Sequence, residues 1–146
     1  MIFLDANYFL RFLTEPETPA DARMQEWAAA LFSQIERGEE QATTSEAVLA
    51  EVAFALASKR HYHRSPVDAA AYLTSIILLT NLKLARGQKR RLVRALEIWS
   101  DRPNLGFVDA LTVATVENTD MTLATFDADF DRIPGVSVLA LDDRQL

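Results

Sequence analysis

The chain has 146 residues, close to the ~150-residue prior for one domain. Its 49 % hydrophobic and 25 % charged residues are ordinary for a globular protein, and the absence of cysteine excludes disulfides, cysteine–zinc sites and thiol nucleophiles. The net charge of −6 argues against nucleic-acid attraction by overall field, but Lys59–Arg102 carries ten Lys/Arg against three Asp/Glu while the rest carries five against eighteen. A basic middle beside acidic flanks fits either a basic surface next to an acidic site or a well-solvated helix pair.

The elements follow in chain order. Ile2–Leu4 reads as a short buried strand and Tyr8–Leu13 as a short helix or turn. Ala20–Arg37 is helical by the spacing of Met24, Trp27, Ala28, Leu31, Phe32 and Ile35, and Gly38 closes it. The Trp27 stripe is expected to be core, the alternative being an exposed apolar surface for a protein contact. Gln41–Thr44 is a weak strand, after which Ser45 caps a helix running to about Lys59. Ser65-Pro66-Val67-Asp68 starts a helix that runs to about Leu79. Asn81–Leu84 is a short strand candidate, Gly87 to about Ser100 a helix, and Phe107–Asn118 another. Thr122–Thr125 is a strand, Ala128–Phe130 a short helical turn, and Val136–Leu141 the last strand. Short apolar strands alternating with helices predict one α/β domain over residues 1–146, with a parallel sheet covered by helices on both faces.

In such sheets, sites gather beyond the carboxyl ends of the strands. Asp5 follows Ile-Phe-Leu at the end of the first strand, and Asp127 follows Leu123-Ala124-Thr125-Phe126 at the end of another. The plain alternative for both is helix capping. With Val48 as the zero of a helical wheel, Glu51 falls at about −60° beside apolar neighbours, which predicts an inward-facing acid, the alternative being a Glu at the helix rim with a snorkelling side chain. Asp109 opens the Phe107–Asn118 helix, where it also complements the helix dipole, and its apolar flanks predict a place at the core edge. Two like charges ~4 Å apart repel by roughly 4 kcal/mol at an effective dielectric of 20, so converging acids call for protonation or a cation. Oxygen donors without His or Cys point to Mg²⁺ or Mn²⁺, which can activate water and steady a phosphoryl oxygen.

Phe3-Leu4-Asp5-Ala6-Asn7, Val48-Leu49-Ala50-Glu51-Val52, Phe107-Val108-Asp109-Ala110-Leu111 and Thr125-Phe126-Asp127-Ala128-Asp129-Phe130 together resemble the PIN-domain ribonucleases. The length and the start look most like the VapC-type toxins of bacterial toxin–antitoxin pairs. The resemblance implies an α/β/α sandwich whose acids bind one or two Mg²⁺ or Mn²⁺ ions and cleave single-stranded RNA through a metal-activated water. It implies Asp5, Glu51, Asp109 and Asp127 as the catalytic and metal-binding set, with Asp5 and Asp109 the most direct ligands. Asn7 and Thr125 would brace the acids, and Asp129 matches a position that is often acidic. Glu51 is preferred over Glu46 from its place in the motif. A homodimer and a small antitoxin partner are implied as well.

RNA contacts are expected from Arg86, Arg90 and Arg94 at i, i+4 and i+8 on one helix face, and from Lys59, Arg60 and Tyr62 in the basic loop. A solvated face is the alternative. His61 and His63 stand alone and do not suggest zinc. The longest apolar runs, Trp27–Phe32 and Val52–Ala57, are too short to span a membrane, and the start of the chain lacks the basic head of a signal peptide. A cytoplasmic location is expected. Glycine-rich phosphate loops and G-x-S-x-G are absent, and Asn7 stands where a haloacid-dehalogenase-type phosphatase needs a second Asp. A silent PIN-like binding module and a housekeeping RNA-processing nuclease are the alternatives to a toxin.

Overall fold

The computed structural model describes residues 1–140. Elements run β1 (Ile2–Phe3), α1 (Ala6–Leu13), α2 (Pro19–Glu36), β2 (Ala42–Thr43), α3 (Glu46–Ala57), α4 (Pro66–Ile77), α5 (Gln88–Asp101), α6 (Phe107–Val116), β3 (Thr122–Leu123), a 3₁₀ helix (Ala128–Arg132) and β4 (Ser137–Val138). The α/β class and the parallel pairing are as expected. β1 pairs with β2, Ile2 opposite Ala42, and β3 pairs with β4, Thr122 opposite Ser137. Among the described residues these ladders form two two-stranded sheets rather than one. The expected strand at 81–84 is a single parallel bridge from Leu82 to Ala42. Leu141, the expected end of the last strand, lies outside the described residues.

The strands are short because helix starts follow them closely. Leu4 N–H still donates to Thr43 C=O at 2.8 Å, but Asp5 is already the N-cap residue of α1. Two residues after β2, the Ser45 hydroxyl accepts from Val48 N–H at 3.2 Å and begins α3. The Thr18 and Ser65 hydroxyls cap α2 and α4 in the same manner, each ahead of a proline in the first turn.

One core joins the elements, built on Leu4, Phe9, Ile35, Leu49, Leu56, Leu73, Leu92 and Val113, with Phe130 and Ile133 of the 3₁₀ segment at its edge. α3 packs against α1, α4 and α6, and α5 packs against α4 and α6. α1 and α2 are locked by Phe12 stacked on Phe32 at 4.5 Å and by Arg11 paired with Asp21 at 2.9 Å. Of the apolar stripe on α2, Ala28, Phe32 and Ile35 are buried, but Trp27 is 65 % exposed, so the core reading fails for Trp27. Among the described residues no helix is long and apolar enough to cross a membrane.

Candidate active site

Asp5 stands at the carboxyl end of β1. Its neighbour Leu4 is buried, and Thr44, also buried, donates its hydroxyl to Leu4 C=O at 2.9 Å. Thr44 thereby ties the end of β1 to the start of α3. In the sequence Thr44 is only the last residue of an expected strand, and the Thr-Ser pair between that strand and the next helix is the signal that marks it. The Asp5 side chain makes no capping hydrogen bond to α1 and is exposed. The capping alternative therefore does not account for its carboxylate.

Glu51 is exposed, which corrects the inward-facing expectation. The buried face of α3 is Leu49, Val52, Ala53 and Leu56. These lie at about 40–140° on a wheel with Val48 at zero, so Val48 marks the rim of that face and Glu51 lies beyond it. The nearby Glu46 is bound twice by the Arg91 guanidinium, from Nε at 3.1 Å and from Nη2. Glu46 is thus committed to a structural pair, and Glu51 has no ion-pair partner among the described residues.

Asp109 is half-buried in the first turn of α6, at the edge of the core as expected. Its Oδ2 leans back over Gly106, where an added Cβ would stand 3.8 Å away. Asp5, Glu51 and Asp109 are carried by the start of α1, by α3 and by α6, and α3 touches both of the others. Among the described residues none of the three carboxylates has a hydrogen-bond or salt-bridge partner, whereas Asp21, Glu39, Glu46, Glu97 and Glu117 are all paired with arginine.

Asp127 follows β3 and does what the capping alternative required: its Oδ1 accepts from Asp129 N–H at 2.9 Å, starting the 3₁₀ helix. It is exposed, and its other oxygen has no protein partner among the described residues. Thr125 accepts from Asp127 N–H at 3.1 Å, so it braces the backbone of that acid rather than its carboxylate. Asn7 lines a small groove with Tyr8, Arg11, Met24 and Trp27 between α1 and α2. Asp129 is exposed and contributes its amide.

A larger groove of about 420 Å³ runs alongside Asp109. Ala50, Phe54 and Ala57 of α3 form one wall, and Trp99, Leu105, Phe107 and Val108 the other. Ser58 and Pro66, which also line it, flank the basic loop in the chain. In that loop Lys59 and Arg60 are exposed, while Tyr62 is half-buried and packs against the core, which leaves less of its ring for stacking. The expected arginine row on α5 does not form. Arg86 precedes the helix, because Gly87 turns the chain at φ +81° as the N-cap residue. Arg94 is held by Glu117 and Glu97, and Lys89 donates its ammonium to Leu79 C=O at 2.6 Å. Burial, and then nearby Lys83, lower the Lys89 pKa. Arg86 and Arg90 remain exposed.

The donor set can be weighed against a divalent ion. Among the described residues no three His, Asp or Glu side chains stand close enough to form a metal cage. Mg²⁺ does not require one, since it keeps several waters and binds through one or two carboxylates plus substrate phosphate. Open carboxylates without protein partners suit that chemistry, and Asp5, Glu51 and Asp109 are of this kind.

The PIN domain family matches residues 2–136 of the chain. The chain belongs to that family, whose members are generally metal-dependent nucleases using divalent ions such as Mg²⁺ or Mn²⁺. No curated protein matches it.

Proposed function

We propose that this chain is a Mg²⁺- or Mn²⁺-dependent endoribonuclease that cuts single-stranded RNA and acts as the toxin of a toxin–antitoxin pair. The observation that carries the nuclease reading is the set of unpaired carboxylates, Asp5, Glu51 and Asp109, on the packed elements α1, α3 and α6, where the remaining acids of α3 and of the end of α6, Glu46 and Glu117, are each paired with arginine. Asp5 and Asp109 would hold the ion directly. Glu51 and Asp127 would orient the attacking water and accept its proton. The bound ion supplies Lewis acidity toward water and a positive charge for the phosphoryl oxygen. Lys59, Arg60, Arg86 and Arg90 are exposed cations suited to RNA phosphates. Arg94 is left out of this set because Glu117 already holds it.

The toxin reading rests on the resemblance of the Phe3–Asn7 and Phe107–Leu111 motifs to the VapC-type toxins, and two exposed apolar surfaces support it. Trp27 and Tyr8 border the groove between α1 and α2. Phe54, 73 % exposed, and Val108 border the groove beside Asp109. An antitoxin and a second copy of the chain each need such a surface. A cytoplasmic location accompanies this reading.

The test is incubation of total RNA with the purified protein in Mg²⁺, Mn²⁺ or EDTA, beside Asp5→Asn. Discrete fragments that require both the ion and Asp5 support the nuclease. No cleavage by folded, partner-free protein overturns it in favour of a binding module. Co-purification with a small protein encoded beside this chain, and loss of cleavage in that complex, separates a toxin from a housekeeping nuclease.

A further inference from the structure

Phe126 is the most exposed of the large hydrophobic side chains among the described residues, at 92 %. Four residues later Phe130 is 5 % exposed and packed in the core. The segment is therefore anchored while one of its two phenylalanines is turned out to water. The backbone on each side of Phe126 is pinned. Thr125 Oγ1 accepts from Asp127 N–H, and Asp127 Oδ1 accepts from Asp129 N–H, so side-chain turns flank the ring. No aromatic partner stacks on it among the described residues.

We propose that Phe126 is a stacking platform for an unpaired base of the RNA substrate, next to the carboxylate of Asp127. This rests on the nuclease reading above. Its surroundings select the occupant. Its neighbours in the chain, Ala124, Asp127, Ala128 and Asp129, are all exposed, so small and acidic residues flank the ring along the backbone. A protein partner's hot spot sits in a desolvated apolar centre, for which the exposed carboxylates of Asp127 and Asp129 next in the chain are unsuited. The acids repel an RNA phosphate but leave the uncharged face of a base free to stack. A base held on Phe126 would lie one residue along the chain from the candidate acid Asp127. Stacking is tolerant of sequence, because every base offers a π face, and purines offer more of it.

The experiment pairs cleavage of total RNA in Mg²⁺ with fluorescence-anisotropy binding of fluorescein-labelled single-stranded decaadenylate, for the wild type, Phe126→Ala, Phe126→Leu and Phe126→Trp. Loss of one stack weakens binding by about tenfold. Alanine and leucine are expected to show that loss alike, tryptophan to restore binding, and the salt dependence to stay unchanged because no phosphate contact is removed. Thermal denaturation should be unaltered, since the side chain is in water. Wild-type cleavage with unchanged binding by Phe126→Ala overturns this inference and leaves the nuclease reading standing. Equal rescue by leucine and tryptophan also overturns it, by showing apolar contact rather than stacking. Binding that depends on Phe126 without cleavage supports the inference and overturns the nuclease. Neither cleavage nor binding by the wild type overturns both.

Discussion

The Arg94 guanidinium forks onto the Glu117 carboxylate, Nε to Oε1 at 2.6 Å and Nη2 to Oε2 at 3.1 Å, and joins the middle of α5 to the residue that ends α6. Asp109 is carried at the other end of α6, so this clasp fixes the helix that presents a candidate ligand. The Glu117 side chain is 15 % exposed and Arg94 46 %, a half-screened pair of good geometry. Arg94→Ala should cost about 1 kcal/mol, the upper end for such pairs, and lower the melting temperature by roughly 2–4 °C. Cleavage by the variant should stay close to wild type at a temperature where it is folded. A loss of activity with an unchanged melting temperature would place Arg94 on the RNA instead.

The same pair sets a pH dependence. The hydrogen bond from Arg94 holds Glu117 below the usual carboxylate value of 4.5. A depressed carboxylate contributes stability that is fully present above its unfolded pKa and is lost as pH falls through the folded one. Melting temperatures of the wild type should therefore begin to drop below about pH 4.5. Glu117→Gln should be less stable at neutral pH and show a shallower acid decline. Parallel declines in the two proteins would assign the acid sensitivity to other groups.

Glu46 and Glu51 separate structure from chemistry on one helix. Glu46→Gln loses the Arg91 pair. It should cost about 0.5–1 kcal/mol and leave cleavage nearly intact. Glu51→Gln removes an exposed, unpaired acid, so it should leave stability unchanged. Its cleavage should fall by about tenfold or more, as when outer partners of a metal site are removed. Chemical denaturation and RNA cleavage on both variants check this, and a reversal of the two phenotypes would return the role to Glu46.

How far the sequence reveals this arrangement depends on the range of the interaction involved. Local chemistry is legible. Ser45 and Ser65 each precede a first turn whose amide they accept from, as expected, while the Thr18 cap starts α2 at Pro19, one residue ahead of the expected Ala20. The end of β1, and hence Asp5 beyond it, follows from an apolar run stopped by an acid, whereas β3 stops at Leu123, short of the expected Thr125 and of Asp127. The facing of Glu51 is misread because Val48 lies at the rim of the buried face, whose centre is Leu49, Val52 and Leu56. Arg86 is misplaced because helical spacing continues through Gly87 although the left-handed backbone there does not. The pairs Arg91–Glu46 and Arg94–Glu117 join residues 45 and 23 positions apart, and only packing brings them together.

Asp5 and Asp109 provide the decisive substitution. Neither carboxylate holds a protein hydrogen bond among the described residues, so Asn at either position removes negative charge without orphaning a partner. Both variants should melt within about 2 °C of the wild type, the scale of a surface substitution. Both should lose RNA cleavage by at least about a hundredfold, because a direct ligand matters more than the outer partners whose loss costs 10–100-fold. Wild-type cleavage should vanish in EDTA and return on adding Mg²⁺ or Mn²⁺, whereas neither variant should be restored at the concentration that saturates the wild type. Cleavage by Asp109→Asn at the wild-type rate would leave Asp109 a first-turn acid serving the dipole of α6. Asp5 would then be left as the direct ligand.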